Sequence, residues 1–281
     1  MAGSAVWGKK PLPIRAILRR LEGTANGGRG KRGPGMRLQG KTAIVTGAAS
    51  GFGTGIARKF AAEGARVIVA DINQDAAARV AGEIGGLAVL ADVARDDSVA
   101  ALALAAFTAF GRLDILVNNA GITHLPAALE DVSEADFDRV LAVNAKSVYL
   151  TARHIVPHMK ANRAGVILNV ASTAGVSPRP RLNWYNASKG WMITATKAMA
   201  VELAPFGIRV NAINPVAGET PLLKSFLGED TPEMRAKFLA TIPLGRFSTP
   251  EDIGNAACFL CSDEAAMITG VAMEVDGGRC I

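Results

Sequence analysis

The segment WYNASKG, residues 184–190, sets a tyrosine and a lysine four positions apart. On a helix that spacing brings Tyr185 and Lys189 onto one face. Two readings are open. A phenol packing on a lysine stem is ordinary surface decoration. The other reading is proton transfer. A free phenol titrates near ~10, too high to exchange a proton easily at neutral pH. An ammonium within ~4–6 Å stabilises the phenolate and lowers that value. A tyrosine tuned in this way takes a hydroxyl proton as general base, or returns one to a carbonyl as general acid. What surrounds the pair decides between them.

Ser172 closes the run VILNVAS, at the carboxyl end of a strand, where ligands of open α/β sheets bind. Its hydroxyl can hold a substrate oxygen by hydrogen bonding, or cap a local turn. His124, His154 and His158 follow no acid–His–Ser arrangement, so hydrolase chemistry is disfavoured. The stretch TGAASGFGTGIA carries glycines at 47, 51, 53 and 55. Glycine permits a tight strand-to-helix turn and a close approach of backbone to a pyrophosphate, which then rests on the helix N-terminus. The spacing Gly47-x3-Gly51-x-Gly53 differs from the general GxGxxG fingerprint. Its position after a strand and before a helix is the one that phosphate binding demands. The next strand ends in Asp71, 18 residues after Gly53. A carboxylate there accepts hydrogen bonds from an adenosine ribose and repels a 2′-phosphate. Ser50 in the turn and Ile72 and Asn73 after the strand supply no compensating cation, so NAD is favoured over NADP.

These residues need a frame to hold them. From Leu38 onward, short β-branched runs alternate with longer helical ones. TAIVTG, ARVIVAD, GLAVLAD, LDILVNN, GVILNVAS, IRVNAIN and VAMEVDGG read as seven strands of a parallel sheet covered on both faces. Helical patterns lie between them, including one run from Ser133 to Lys160 and another from Tyr185 to Pro205. Ser133 with Asp136, and Thr249 with Asp252, resemble capping boxes with Asp in place of Glu. Repeated βα units imply an α/β, Rossmann-type doubly wound fold in a single domain, residues 37–281. Residues 216–248 break the rhythm with Pro, Gly and mixed charge, as a lid or specificity segment would.

Composition closes off other classes. The net charge of +6 sits in residues 1–36, where eight Lys and Arg face Glu22 alone. The remainder is close to neutral, and a nucleic-acid surface has no support there. The Gly- and Arg-rich first 36 residues lack a long apolar stretch, so a secretory signal is disfavoured. A disordered, functionally incidental extension is expected, with a presequence, a vector scar or an over-extended reading frame as the other options. No apolar run approaches the ~20 residues of a membrane span. Three cysteines point to a reducing compartment and a cytoplasmic protein, with Cys258 and Cys261 read as small buried residues rather than a metal pair. No metal site is expected.

In order along the chain, TGAASGFG at 46–53, Asp92-Val93, NNAG at 118–121, Asn144, Ser172, Tyr185-x-x-x-Lys189, Asn214-Pro215 and Asp276-Gly277-Gly278 resemble the short-chain dehydrogenase/reductase family, in its larger branch, over residues 38–279. The resemblance implies a catalytic set of Asn144, Ser172, Tyr185 and Lys189, with Asn144 shaping its helix and completing a proton relay. It implies cofactor contacts from Gly47, Ser50, Gly51, Phe52, Gly53, Asp71 and Ile72 in the first half. Asp92 and Val93 would hold the adenine, and Asn119, Ala120 and Gly121 the adenosine ribose. Lys189 would bond the nicotinamide ribose besides polarising Tyr185. Pro215, Val216 and Thr220 would lie at the nicotinamide. Val216 stands where the family usually has glycine, and its stiff branched side chain resists positive φ; Gly218 could restore the turn. A homotetramer is the family's common assembly.

Thr123, His124, Thr173, Ala174, Trp184, Val216, Ala217 and the segment 221–240 are the expected substrate pocket. Their mixture suits a small or medium polar alcohol or ketone, such as a sugar, polyol or cyclic alcohol. A 3-oxoacyl thioester reductase is the second reading. A non-catalytic nucleotide sensor on the same fold is a third, disfavoured because the Tyr–Lys pair and the glycine turn are both kept.

Overall fold

The computed structural model describes residues 36–281; the basic extension expected at 1–36 lies, except for Met36, outside the described residues. Seven parallel strands form one sheet in the order β3-β2-β1-β4-β5-β6-β7. They are β1 (Thr42–Thr46), β2 (Arg66–Asp71), β3 (Leu87–Leu90), β4 (Ile115–Asn118), β5 (Gly165–Val170), β6 (Ile208–Pro215) and β7 (Ala272–Val275). Each coincides with one of the seven apolar runs, β6 extending one residue past its run to Pro215. Strand order reverses between β1 and β4, so the carboxyl ends of those two strands open a crevice.

Helices cover both faces. On one side α1 (Gly51–Ala62), α2 (Gln74–Ile84) and the last helix pack on the sheet through Ile56, Phe60, Val80, Ile253 and Cys258. On the other, α3 (Asp96–Phe110), α5 (Ser147–Asn162) and α6 (Asn183–Leu203) pack through Leu102, Ile155, Met159 and Leu203. The short α4 (Glu134–Leu141) leads into α5. Segment 216–248 holds two short helices, α7 (Leu223–Leu227) and α8 (Pro232–Leu239), and a small apolar cluster of Val216, Leu223, Leu227, Ile242 and Phe247. The last helix, α9, runs Pro250–Cys261.

The run from Ser133 to Lys160 is not one regular helix. α4 and α5 are joined by a π-helical turn at Ala142–Lys146, with Asn144 buried inside it. Such one-residue expansions are frequent at functional sites because they re-aim side chains. The Thr249–Asp252 capping box is complete in both directions, whereas Ser133 caps Asp136 N–H only one way. Gly55 and Gly254 bring α1 and α9 together, since a Cβ on Gly55 would stand 2.2 Å from the Pro250 carbonyl. Cys258 and Cys261 are both buried in the core that this contact closes. Among the described residues no helix is long and apolar enough to cross a membrane.

Candidate active site

A cavity of about 690 Å³ runs along the carboxyl ends of the strands. One end is lined by Asp71, Ile72, Asp92 and Val93, the middle by Gly47, Ser50, Gly51, Phe52, Asn119, Ala120 and Gly121. Ser172, Thr173, Ala174, Tyr185, Lys189, Pro215, Val216, Ala217 and Thr220 line the other end. Most of the sequence-expected residues are thus brought to one surface. Four are not on it. Gly53 lies behind the turn, where a Cβ would meet the Gly47 carbonyl at 2.1 Å. Thr123 and His124 are buried; the His124 Nδ1 meets the Leu125 carbonyl at 2.8 Å. Trp184 turns away, its Nε1 donating to the Leu129 carbonyl and its ring edge-on to Phe137 at 5.3 Å.

The glycine turn is shaped by need. Gly47 and Gly51 adopt φ of 62° and 53°, where a side chain is strained. A Cβ on Gly47 would lie 2.8 Å from Ala120 Cα, so strands β1 and β4 close on each other only through glycine. Asn119 fixes the same junction, its Nδ2 donating to the carbonyls of Thr46 at 2.9 Å and Gly47 at 3.1 Å. No side chain caps α1 and no acid stands in its first turn, leaving its N-terminal dipole aimed into the cavity. Asp71 takes the Ala49 N–H at 3.0 Å and the Asn73 N–H at 2.9 Å, which orients the carboxylate and leaves lone pairs for a ligand. An acid at one end, an uncapped helix N-terminus in the middle and a phenol with an ammonium at the other fit an adenine dinucleotide.

Tyr185 and Lys189 are buried on one face of α6. The Lys189 Nζ lies 5.9 Å from the phenol ring centre and donates to the Val170 carbonyl at 2.9 Å. Two of its three donors stay open toward the cavity. Gly121 keeps that path clear, since a Cβ there would stand 3.3 Å from Nζ. Burial pushes the Tyr185 phenol up to about 12, against a downward pull from the Ser172 hydroxyl and the Arg179 charge. Burial also pushes the Lys189 ammonium down to about 8. Desolvation therefore sets the direction for both groups in the protein alone, opposite for Tyr185 to the fall expected from spacing.

Ser172 accepts the Ala174 N–H at 3.1 Å and so both caps a turn and faces the phenol. Asn144 is fully used. Its Oδ1 accepts the Ile122 N–H, and its Nδ2 donates to the Ile122 carbonyl and the Ser188 hydroxyl, each at 2.9 Å. It pins the strand-β4 loop to the π-turn and to α6. Beneath the site, Thr151, Asn118, Asn169 and Thr196 form a buried chain of hydrogen bonds that ties β4 and β5 to α5 and α6. Val216 follows β6 without positive φ, its side chain buried in the α7 cluster. Gly218 does not restore a turn. It pairs with Ser248, and a Cβ would meet the Phe52 ring at 2.3 Å, so space is what it provides.

Arg139, Arg179 and Phe226 also line the cavity. Arg179 lies six residues before Tyr185 in SPRPRLNWY, where the prolines read as a surface loop. Phe226 and Phe238 of segment 216–248 pack against its guanidinium.

The family model for enoyl-(acyl carrier protein) reductase matches residues 47–279. The 4-formylbenzenesulfonate dehydrogenase TsaC1/TsaC2 of Comamonas testosteroni is 49% identical over 252 residues, 88% of this chain and 100% of that protein. The 3-oxoacyl-[acyl-carrier-protein] reductase FabG of Thermotoga maritima is 41% identical over 252 residues, again 88% and 100%. Among solved structures, a 3-ketoacyl-(acyl-carrier-protein) reductase from Brucella melitensis complexed with NADH superposes with a TM-score of 0.83 at 54% identity, covering 87% of this chain and 100% of that one.

Proposed function

This chain belongs to the short-chain dehydrogenase/reductase family, and from that premise we propose that it transfers hydride between NAD(H) and a secondary alcohol or ketone of small to medium size. The observation that carries the reading is the meeting of Tyr185, Lys189 and Ser172 at one end of a cavity whose other end holds Asp71. The nicotinamide, when bound, supplies the hydride site and, in its oxidised form, a positive charge.

The chain's own residues do the rest. Ser172 holds the substrate oxygen by hydrogen bonding. Tyr185 gives that oxygen a proton in ketone reduction and takes one in alcohol oxidation. A phenol near 12 is protonated at neutral pH, ready for reduction. Oxidation needs the phenolate, which the Lys189 ammonium stabilises. Its two open donors reach ribose hydroxyls. Asn144 supports the relay by fixing the π-turn against α6. Asp71 selects NAD. The sparse cysteines and the nicotinamide requirement suit the cytoplasm.

A dehydrogenase screen over sugars, polyols, cyclic alcohols and 3-hydroxyacyl thioesters with NAD⁺ and NADP⁺ tests the reading. Repulsion of ~2–3 kcal/mol between Asp71 and a 2′-phosphate favours NAD⁺ by roughly 30- to 150-fold in kcat/KM. Asp71→Ala should narrow that gap. Equal efficiency with both cofactors would contradict the assignment. The carrier-protein reductases among the relatives favour one other substrate, a 3-oxoacyl thioester. Faster turnover of the thioesters than of every free alcohol would select it.

A further inference from the structure

A second cavity of about 240 Å³ opens off the substrate end of the first, and the two share Arg179, Phe226 and Phe238. Its lining includes Arg179, Lys237 and Arg279, three cations, and no carboxylate. Two of them flank one ring. The Arg179 guanidinium carbon is 4.8 Å from the Phe238 centre and that of Arg279 is 5.2 Å from it. Among the described residues none of the three makes an ion pair or a side-chain hydrogen bond. Two nearby acids are engaged elsewhere, and Glu233, four residues before Lys237 on α8, makes no ion pair with it. Asp230 is bound by Arg235. Asp276 accepts the Gly278 and Cys280 N–H groups.

Cation–aromatic stacking accounts for part of this arrangement. It leaves every N–H donor of two adjacent guanidinium groups without an acceptor. Like charges held together in a half-buried wall oppose folding, and burial with the neighbouring Arg279 lowers the Arg179 pKa. A ligand oxyanion removes both costs, and planar guanidinium groups match one bidentately. The wall is also placed to act on a substrate. Phe226 has its ring centre 5.1 Å from that of Tyr185 and 5.8 Å from the Arg179 guanidinium carbon. Phe226 therefore touches both the Tyr185 ring and the Arg179 guanidinium.

We propose that this annex binds an anionic group of the substrate, so that the substrate is an alcohol or carbonyl compound bearing a carboxylate or sulfonate on its own carbon skeleton. The proposal rests on the dehydrogenase reading for the reacting end and on Arg179, Lys237 and Arg279 for the anionic end.

Calorimetric titration with redox-inert probes separates the two. Benzenesulfonate and cyclohexanecarboxylate are compared with the neutral benzamide and cyclohexanecarboxamide. The expected result is anion binding at least tenfold tighter than amide binding, weakened tenfold or more by R179Q and partly restored by R179K. Should R179Q fail to fold, R279Q and K237Q carry the same test. Equal affinity for anions and amides, or anion affinity unchanged in all three glutamine variants, overturns the proposal. Binding of 4′-phosphopantetheine alone, with none of the small anions, also overturns it and points to a carrier thioester. Charge-dependent anion binding with no turnover of any alcohol would leave the annex standing and remove the dehydrogenase reading. Turnover without charge preference would do the reverse.

Discussion

Lys189 and Tyr185 are buried beside each other at a cost to the fold. In the native protein Lys189 titrates near about 8, against 10.5 for the free side chain. Below pH 8 the lysine is charged in both native and unfolded states, and the full penalty applies, on the order of 3 kcal/mol. Between about 8 and 10.5 the unfolded chain keeps the proton that the native lysine gives up, so the penalty shrinks and stability rises with pH. Above 10.5 it is gone. Lys189→Met removes the charge and keeps the length. At pH 7 the variant should be inactive yet melt several degrees above wild type, at roughly 2–4 °C per kcal/mol for a domain of this size. The difference should shrink as pH rises through 8 toward 10.5. A variant that melts well below wild type at pH 7 would show that the ammonium is well solvated or paired, and that its depressed pKa is misassigned. The pair itself was legible because residue type and a four-residue spacing suffice to place two groups on one helix face. Arg179 was not, because the Phe226 and Phe238 rings that pack on it come more than forty residues later in the chain.

At the level of elements, strand ends do the positioning and helices hold them. All seven strands were legible as β-branched runs, since strands covered on both faces leave an unbroken apolar signature. The π-turn at Ala142–Lys146 was not legible, because its cause is tertiary. Asn144 reaches Ile122 on one side and Ser188 on the other, and an asparagine within a helical run carries no sign of such partners. Helices α5 and α6 carry a second message. Tyr149, Trp191 and Val201 stand 53%, 44% and 79% exposed on them, and Leu104 on α3 is 67% exposed. Large apolar side chains on neighbouring outward helix faces are the composition of a contact between copies. We propose that α5 and α6 lie in one interface of the homotetramer expected from the family resemblance. Sedimentation at micromolar concentration should give a tetramer, and Val201→Lys should shift it toward smaller species. Monomer alone in the unmodified protein would rule this out.

On the scale of the whole molecule, residues 36–281 fold around one sheet whose order reverses between β1 and β4, and the cavity follows from that reversal. The fold class and the line of the dinucleotide cleft could be read from strand-turn-helix order alone. The breadth of the substrate end could not. Thr123, His124 and Trp184 were expected on it and lie off it, because His124 meets the Leu125 carbonyl and Trp184 is held by the Leu129 carbonyl and the Phe137 ring. Segment 216–248 instead supplies Phe226 and Phe238. The proposed mechanism turns on one proton. Tyr185→Phe keeps the ring against Phe226 and removes only the hydroxyl. Its most direct test pairs steady-state turnover with NADH binding, followed by fluorescence, in the wild type and in this variant. The predicted result is a loss of kcat of at least three orders of magnitude with NADH affinity changed less than threefold. Near-wild-type turnover in Tyr185→Phe would contradict the mechanism.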